Sequence, residues 1–241
     1  MFAVDLGRRS GEPELLDIEQ ADPGAIEACL RDLQWINRWT AAYRVTLRWL
    51  AQLCRETRPA RPLTILDVGC GRGDMLRRIW AWGRKQGLEL RLIGVDRNPR
   101  ATAAAAAATP HEAPIRYLTA DVFALPHDPP IDVVLSALFA HHLDDARLVR
   151  FLCWMEARAR LGWLINDLHR HPLPYVVARG GAPLLRMHAF VRHDAPLSVA
   201  RAFDRRDWFR LLQAADLAPP ATTIRWRFPF RFAVGRIKPG C

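Results

Sequence analysis

The chain has 241 residues, half of them hydrophobic and a quarter charged, with a net charge of +10. That is enough chain to bury the core of one soluble α/β domain. No apolar run reaches the roughly 18 residues that a membrane-spanning helix needs, and no basic start leads into a long apolar stretch, so neither a transmembrane segment nor a signal peptide is expected.

The five cysteines, Cys29, Cys54, Cys70, Cys153 and Cys241, are scattered and form no CxxC pair. That pattern suits reduced thiols in a cytoplasmic protein and argues against a zinc ribbon or a disulfide framework. All the basic residues except Lys85 and Lys238 are arginine, and alanine runs through 101–108 except at Thr102. This bias reads as a GC-rich coding preference. The arginines form no dense block interleaved with aromatics, so nucleic acid is not the expected partner.

Residues 1–21 are polar and read as an extended arm. A helical pattern follows from Ala21. Asp22 can cap it and Pro23 suits its first turn. Ile26, Cys29, Leu30, Leu33 and Ile36 share one face, and Leu47, Leu50 and Leu53 continue it past a break near Thr40. Residues 1–57 thus form an arm and helices that either pack on the main domain or cover its substrate pocket. "RPARP" at 58–62 interrupts the pattern.

From there to residue 241 the chain alternates. Strands are expected in "LTILDVG", "ELRLIGVDR", "IRYLTAD", "IDVVLSAL" and "LGWLINDL". Between them lie helices in "DMLRRIWAWGRKQ", "PRATAAAAAA" and "DARLVRFLCWMEARA". Such alternation implies right-handed crossovers and a doubly wound, mostly parallel sheet. The end differs. After a helix in "DRRDWFRLLQAADL", the strands "TTIRWRF" and "RFAVGRI" follow each other across a tight turn and must pair antiparallel. The expected fold is therefore a Rossmann-like α/β domain with a seven-stranded sheet whose last strand is antiparallel.

The chemistry concentrates at the carboxyl ends of these strands. In "LTILDVGCGRGDML" three glycines, Gly69, Gly71 and Gly73, follow the first strand and its Asp67. Glycine there permits a tight turn and close approach of a ligand. The next helix starts near Asp74, and its unpaired N–H groups favour a negative group. The spacing is not that of the dinucleotide fingerprint, because position 74 is Asp and not Gly. Asp96 closes the second strand, where a carboxylate can accept from both hydroxyls of a ribose. Asp121 closes the third, where an adenine amino group needs an acceptor.

The segments "ILDVGCGRGD", "LIGVDRNP", "TADVFALP" and "IDVVLSALFAHHLDD" resemble the four successive ligand-binding motifs of the class I S-adenosylmethionine-dependent methyltransferases. The likeness covers about residues 62–150. It implies S-adenosylmethionine as cofactor, with Asp67, Gly69 and Gly71 at its methionine part and Asp96 at its ribose. Asp121 and Val122 would meet the adenine, and Ser136 and Leu138 would lie beside the methyl group. Cys70 and Arg97 stand in the same motifs and complete the expected cofactor-lining set.

Just past the fourth strand, "LFAHHLDD" sets His141 and His142 at the rim. A histidine there suits general base catalysis on a hydroxyl acceptor. Neighbouring side chains point differently, and in related quinone-pathway methyltransferases the position matching His141 faces the site. His141 is therefore favoured as base, with a helix-capping or supporting role as the alternative. Leu138 stands where some metal-assisted relatives carry an acid, so no metal is expected. "NDLHRHPLPY" brings Asn166, Asp167, His169 and His171 to the edge of the fifth strand. His169 is the second catalytic candidate. With His193 and Asp194, these residues are spaced for hydrogen bonding more than for metal ligation.

About forty residues separate the fifth strand from the last helix, more than a plain connection needs. In this fold an insertion at about 169–203 covers the acceptor. Its apolar stretch 173–191, interrupted by Gly180 and Gly181, suits a hydrophobic or aromatic acceptor or packing at an interface, including peripheral membrane contact. The reading is O-methylation of a phenol, quinone precursor or polyketide. RNA or protein methylation, or S-adenosylmethionine binding without catalysis, are the alternatives.

Overall fold

The computed structural model describes residues 5–15, 32, 42–59, 62–126, 130–184 and 187–238. Asp22, Pro23 and the apolar face from Ile26 to Ile36 lie outside the described residues. Helix α1 (Ala42–Thr57) is the later part of the expected N-terminal helical region. Its Leu50 and Leu53 are fully buried, as their spacing requires.

The alternation then unfolds in order: β1 (Leu63–Val68), α2 (Asp74–Lys85), β2 (Leu90–Asp96), α3 (Pro99–Ala107), β3 (Ile115–Thr119), β4 (Ile131–Ala137), α4 (Asp145–Arg158) and β5 (Ala159–Leu168). Local chemistry marks the helix starts. Asn98 accepts from the Arg100 N–H with Pro99 in the first turn, and Asp144 accepts from the Arg147 N–H. Each such cap is worth about 1 kcal/mol.

The seven strands form one sheet in the order β3-β2-β1-β4-β5-β7-β6, with β6 (Thr223–Arg227) and β7 (Arg231–Ile237) closing it. β1 to β5 pair in parallel, and β7 runs antiparallel to both β5 and β6. One face packs on α4 and α7 (Arg205–Ala214) through Phe151, Leu152, Trp163, Trp208 and Leu211. The other packs on α1 and α2 through Leu50, Leu53, Leu76 and Ile79. Each of these side chains contributes about 1.5–3 kcal/mol by leaving water. Because both faces are covered, β1 is buried at every position.

Between β5 and α7 the insertion folds as two packed helices, α5 (Pro172–Leu184) and α6 (Ala189–Arg201). It leaves and returns at one place: His169 bridges Phe203, and the Arg170 N–H donates to the Phe203 carbonyl. The glycine pair does not end a helix. α5 runs through Gly180 and Gly181, which cost about 1 kcal/mol each relative to alanine. Packing of Ala182 with Val191 and the neighbouring Met187, Phe190 and Ala195 opposes that cost. Among the described residues no helix is long and apolar enough to cross a membrane.

Candidate functional site

β1 and β4 lie side by side although β2 and β3 intervene in the chain. Where strand order reverses in this way, the connections leave in opposite directions and a crevice opens at the carboxyl edge. The glycine loop borders it. Gly69, Gly71 and Gly73 take φ of 70°, 50° and 69°, a region that costs other residues roughly 1–2 kcal/mol. A Cβ on Gly69 would stand 2.8 Å from the Phe139 ring, whereas at Gly71 the same position is open space.

Three acids surround this loop. Asp96 accepts from the Gly71 N–H through Oδ2 and from the Asn98 N–H through Oδ1, each at 3.0 Å. Asp67 is buried in β1, and burial, then Asp74, then Asp96, push its carboxyl well above the usual range. Asp74 accepts from the Tyr43 hydroxyl at 2.5 Å, which ties α1 to the start of α2. The sequence suggested a site for a negative group at that helix start. The structure adds the opposite demand beside it, because clustered acids favour a cation. Gly73 supplies no side-chain cap to α2. The crevice therefore suits a ligand carrying both signs of charge.

The other expected cofactor-lining residues are placed as follows. Asp121 is exposed, and its Oδ1 accepts from the Phe123 N–H at 2.9 Å, while Val122 beside it is buried. Arg97 is exposed just beyond β2. The Ser136 hydroxyl donates to the Val68 carbonyl at 3.2 Å and fastens β4 to β1 at the crevice. Leu138 takes a φ of 56°, with its N–H on the Asn166 carbonyl at 3.1 Å. Cys70 is buried, and burial with Asp67 and Asp96 pushes its thiol up, so it stays a thiol.

Past β4 a single helical turn, Ala140–His142, carries both histidines. His141 is 3% exposed, and its Nδ1 lies 2.7 Å from Asp167 Oδ1. Its backbone N–H donates to Asp167 Oδ2 at 3.2 Å, and the Leu168 N–H donates to Oδ1 at 2.7 Å. Burial pushes the Asp167 carboxyl up, but His141, the Leu168 N–H and His142 outweigh it and hold the group below the usual value. An ionised carboxylate only accepts. When the His141 ring is neutral, this pairing places its proton on Nδ1 and its lone pair on Nε2.

The N-terminal arm closes over that nitrogen. Glu14 is buried, with Oε1 at 3.7 Å from His141 Nε2 and Oε2 at 3.9 Å from His142 Nε2. The Ser198 hydroxyl donates to Glu14 Oε1 at 2.9 Å, and Arg201 Nε stands 4.0 Å from the same oxygen. Arg201 also donates to the carbonyls of His141, His142 and Glu12. Arg9 donates to the carbonyls of His141, Leu143 and Arg201 and pairs with Asp145.

His169 joins a different group. Its Nδ1 accepts from Trp226 Nε1 at 3.2 Å, and its ring packs against Phe230 and Phe232. Burial and repulsion from His171 lower its pKa, which keeps it an acceptor. The structure thus groups this second catalytic candidate with the β6–β7 hairpin and not with His141. His193 hydrogen-bonds its neighbour Asp194 at 2.8 Å, and Asp194 holds the Leu15 N–H. Three contributors escaped the sequence reading. Glu14 and Arg201 lie far from His141 in the chain and carry no local motif, and Tyr43 lay within an apolar helical pattern.

Residues 65–160 match the family model described as a methyltransferase domain. No curated protein matches the sequence. Among solved structures, the chain resembles the plantazolicin methyltransferase BpumL in complex with a triazolic desmethylPZN analog and SAH. The TM-score is 0.64 at 16% identity, over 86% of this chain and 89% of that one. It also resembles human N-acetylserotonin methyltransferase in complex with SAM, with a TM-score of 0.64 at 15% identity over 96% of this chain and 60% of the other. Magnesium protoporphyrin IX methyltransferase from Synechocystis PCC 6803 with bound SAH gives 0.54 at 14% identity over 86% of each chain. At such identities the likeness is one of fold.

Proposed function

From the premise that this chain carries a methyltransferase domain of the class I, S-adenosylmethionine-dependent family, we propose that it methylates the hydroxyl oxygen of a lipophilic aromatic small molecule. S-adenosylmethionine is the cofactor, and the residues present fit it. The acid cluster of Asp67, Asp74 and Asp96 suits its positive groups, the uncapped start of α2 suits its carboxylate, and the open space beside Gly71 admits it closely. In this reading Asp96 takes the ribose, Asp121 and Val122 the adenine, and Ser136 and Leu138 border the methyl group. When bound, the cofactor supplies a methyl group activated on a sulfonium.

The chain's own part is to position the acceptor and to take its proton. The carrying observation is the His141–Asp167 pair at the crevice. Asp167 fixes the tautomer and steadies the imidazolium that forms. His141 Nε2 receives the acceptor's proton, a contribution typically of about 10²–10⁴ in rate. Glu14 lies beside that nitrogen, so entry of the acceptor hydroxyl displaces the arm there. Sequestration by the arm and by α5 and α6 would exclude water from the transfer.

Two features support a lipophilic acceptor. Leu173, Val176 and Val177 on α5 are more than half exposed and give the insertion an apolar rim, suited to an acceptor or a membrane surface bearing one. The N-acetylserotonin and magnesium protoporphyrin IX enzymes, to which the fold is similar, are both named for small molecules. The basic charge, which would favour RNA, is partly spent on folding: Arg9, Arg170 and Arg201 are bonded to backbone carbonyls inside the molecule.

The test is transfer from methyl-labelled S-adenosylmethionine to a panel of phenols and hydroxyquinones, with total RNA, bulk protein and lipid extracts beside it. Label in a phenolic ether supports the reading. Label only in RNA or protein overturns it, and no transfer despite cofactor binding would favour a non-catalytic role.

A further inference from the structure

We propose that Glu14, His141 and His142 form a binding site for a divalent transition-metal ion of the zinc class. The ligand atoms, one from each residue, all lie within 4.8 Å of one another. Tetrahedral zinc with bonds of about 2.0–2.1 Å needs ligands roughly 3.4 Å apart. Glu14 Oε1 lies 3.7 Å from His141 Nε2 and Oε2 lies 3.9 Å from His142 Nε2, so rotation of the carboxylate and the rings has to bring one oxygen to both from a starting spread of at most 4.8 Å.

The two imidazole rings are already gathered, with centroids 4.3 Å apart and planes inclined by 34°. Two imidazoles and one carboxylate select a borderline-soft metal such as zinc over magnesium or calcium, which take oxygen ligands. Three protein ligands leave a fourth position for water or an exogenous oxygen.

A second, independent observation supports the site. Asp167 accepts the Nδ1 proton of His141 at 2.7 Å and so aims Nε2 at Glu14, the carboxylate–histidine arrangement that orients metal ligands. Glu14 is positioned in turn by the Ser198 hydroxyl on Oε1 and by Arg201 at 4.0 Å from the same atom, while Oε2 faces His142. Binding follows from this geometry alone, whatever the acceptor. An ion on Nε2 takes the lone pair that proton transfer from an acceptor needs. The metal-loaded chain and the proton-accepting chain are therefore alternative states of one site.

Cobalt(II) is the probe, because its visible absorption reports coordination number, and zinc is the competitor. Titration of the full chain should give one cobalt per chain with intense tetrahedral bands that zinc removes. Glu14→Gln keeps the side chain's shape and its contact with Ser198. It and His142→Ala should each weaken binding more than 100-fold, and Asp167→Asn by about 10–100-fold. His171→Ala and His193→Ala should change nothing. Circular dichroism confirms that each variant is folded. Absence of the bands overturns the proposal, as do bands that survive both Glu14→Gln and His142→Ala or are lost equally in His193→Ala.

Discussion

The two halves of the sheet's carboxyl edge are built by different means. At β1 and β2 the crevice is made by neighbours in the chain: Asp67, Gly71, Asp74 and Asp96 are drawn together by one crossover. At β4 and β5 a buried polar cluster is assembled from remote pieces. His141 comes from a turn, Asp167 from the next strand, Arg201 from the insertion and Glu14 from the N-terminal arm. The first half tolerates little variation because positive φ at Gly69, Gly71 and Gly73 shapes its loop. In the proposed reading the second half takes the acceptor, and exchange of its remote pieces would alter the acceptor with little change to the glycine loop.

That division is most sharply broken or confirmed at His141. His141→Ala should lower methyl transfer by about 10²–10⁴ while leaving S-adenosylmethionine affinity unchanged, measured by single-turnover transfer and by calorimetry. Equal loss of both would mean that the halves are one structural unit. Next is Asp96→Ala, which removes a charge-assisted acceptor worth about 1.5–3 kcal/mol. Cofactor affinity should fall roughly 10–150-fold. Unchanged affinity would remove Asp96 from the ribose.

Arg9→Ala probes the assembly of the remote half. Arg9 holds three carbonyls and Asp145, so its loss should cost about 2 kcal/mol and lower the melting temperature by roughly 4–8 °C. Hydrogen exchange should speed up in residues 5–15 and not in the glycine loop. Acceleration in both would show that the arm supports the cofactor half as well.

The smallest effect is electrostatic. Asp67 is raised in the folded state by burial and by Asp74 and Asp96. The fold therefore prefers the neutral acid, and this costs nothing below the ordinary value of 3.8. As pH rises from there toward the folded value, the unfolded chain loses its proton first and stability declines. A cationic ligand favours the ionised form. S-adenosylmethionine affinity should therefore rise with pH across that window, by at most about tenfold per pH unit, with proton release visible in calorimetry across buffers. Asp67→Asn should abolish the dependence, weaken binding and raise the stability of the ligand-free protein.

The strand–helix alternation and the turn chemistry of the chain determined the mostly parallel sheet and its closing hairpin, while the strand order at the switch point is seen only in the structure. Asn98, Asp144 and Asp204 mark helix starts as their side chains require. Glycines at 69, 71 and 73 announced a bare loop because only a missing Cβ makes positive φ cheap. These are local properties, set by residues within a few positions of each other or by a regular period. The helical run through Gly180 and Gly181 was not legible, since packing of α5 on α6 outweighs propensity there. Nor was the fate of His169, which resembled His141 in sequence but was claimed by Trp226 across the hairpin. Only the tertiary structure decided that Asp167 serves His141 and that Glu14 meets both histidines. Side chains brought together by folding from distant parts of a chain leave no spacing to read, and in a buried setting each must find its hydrogen-bond partner there.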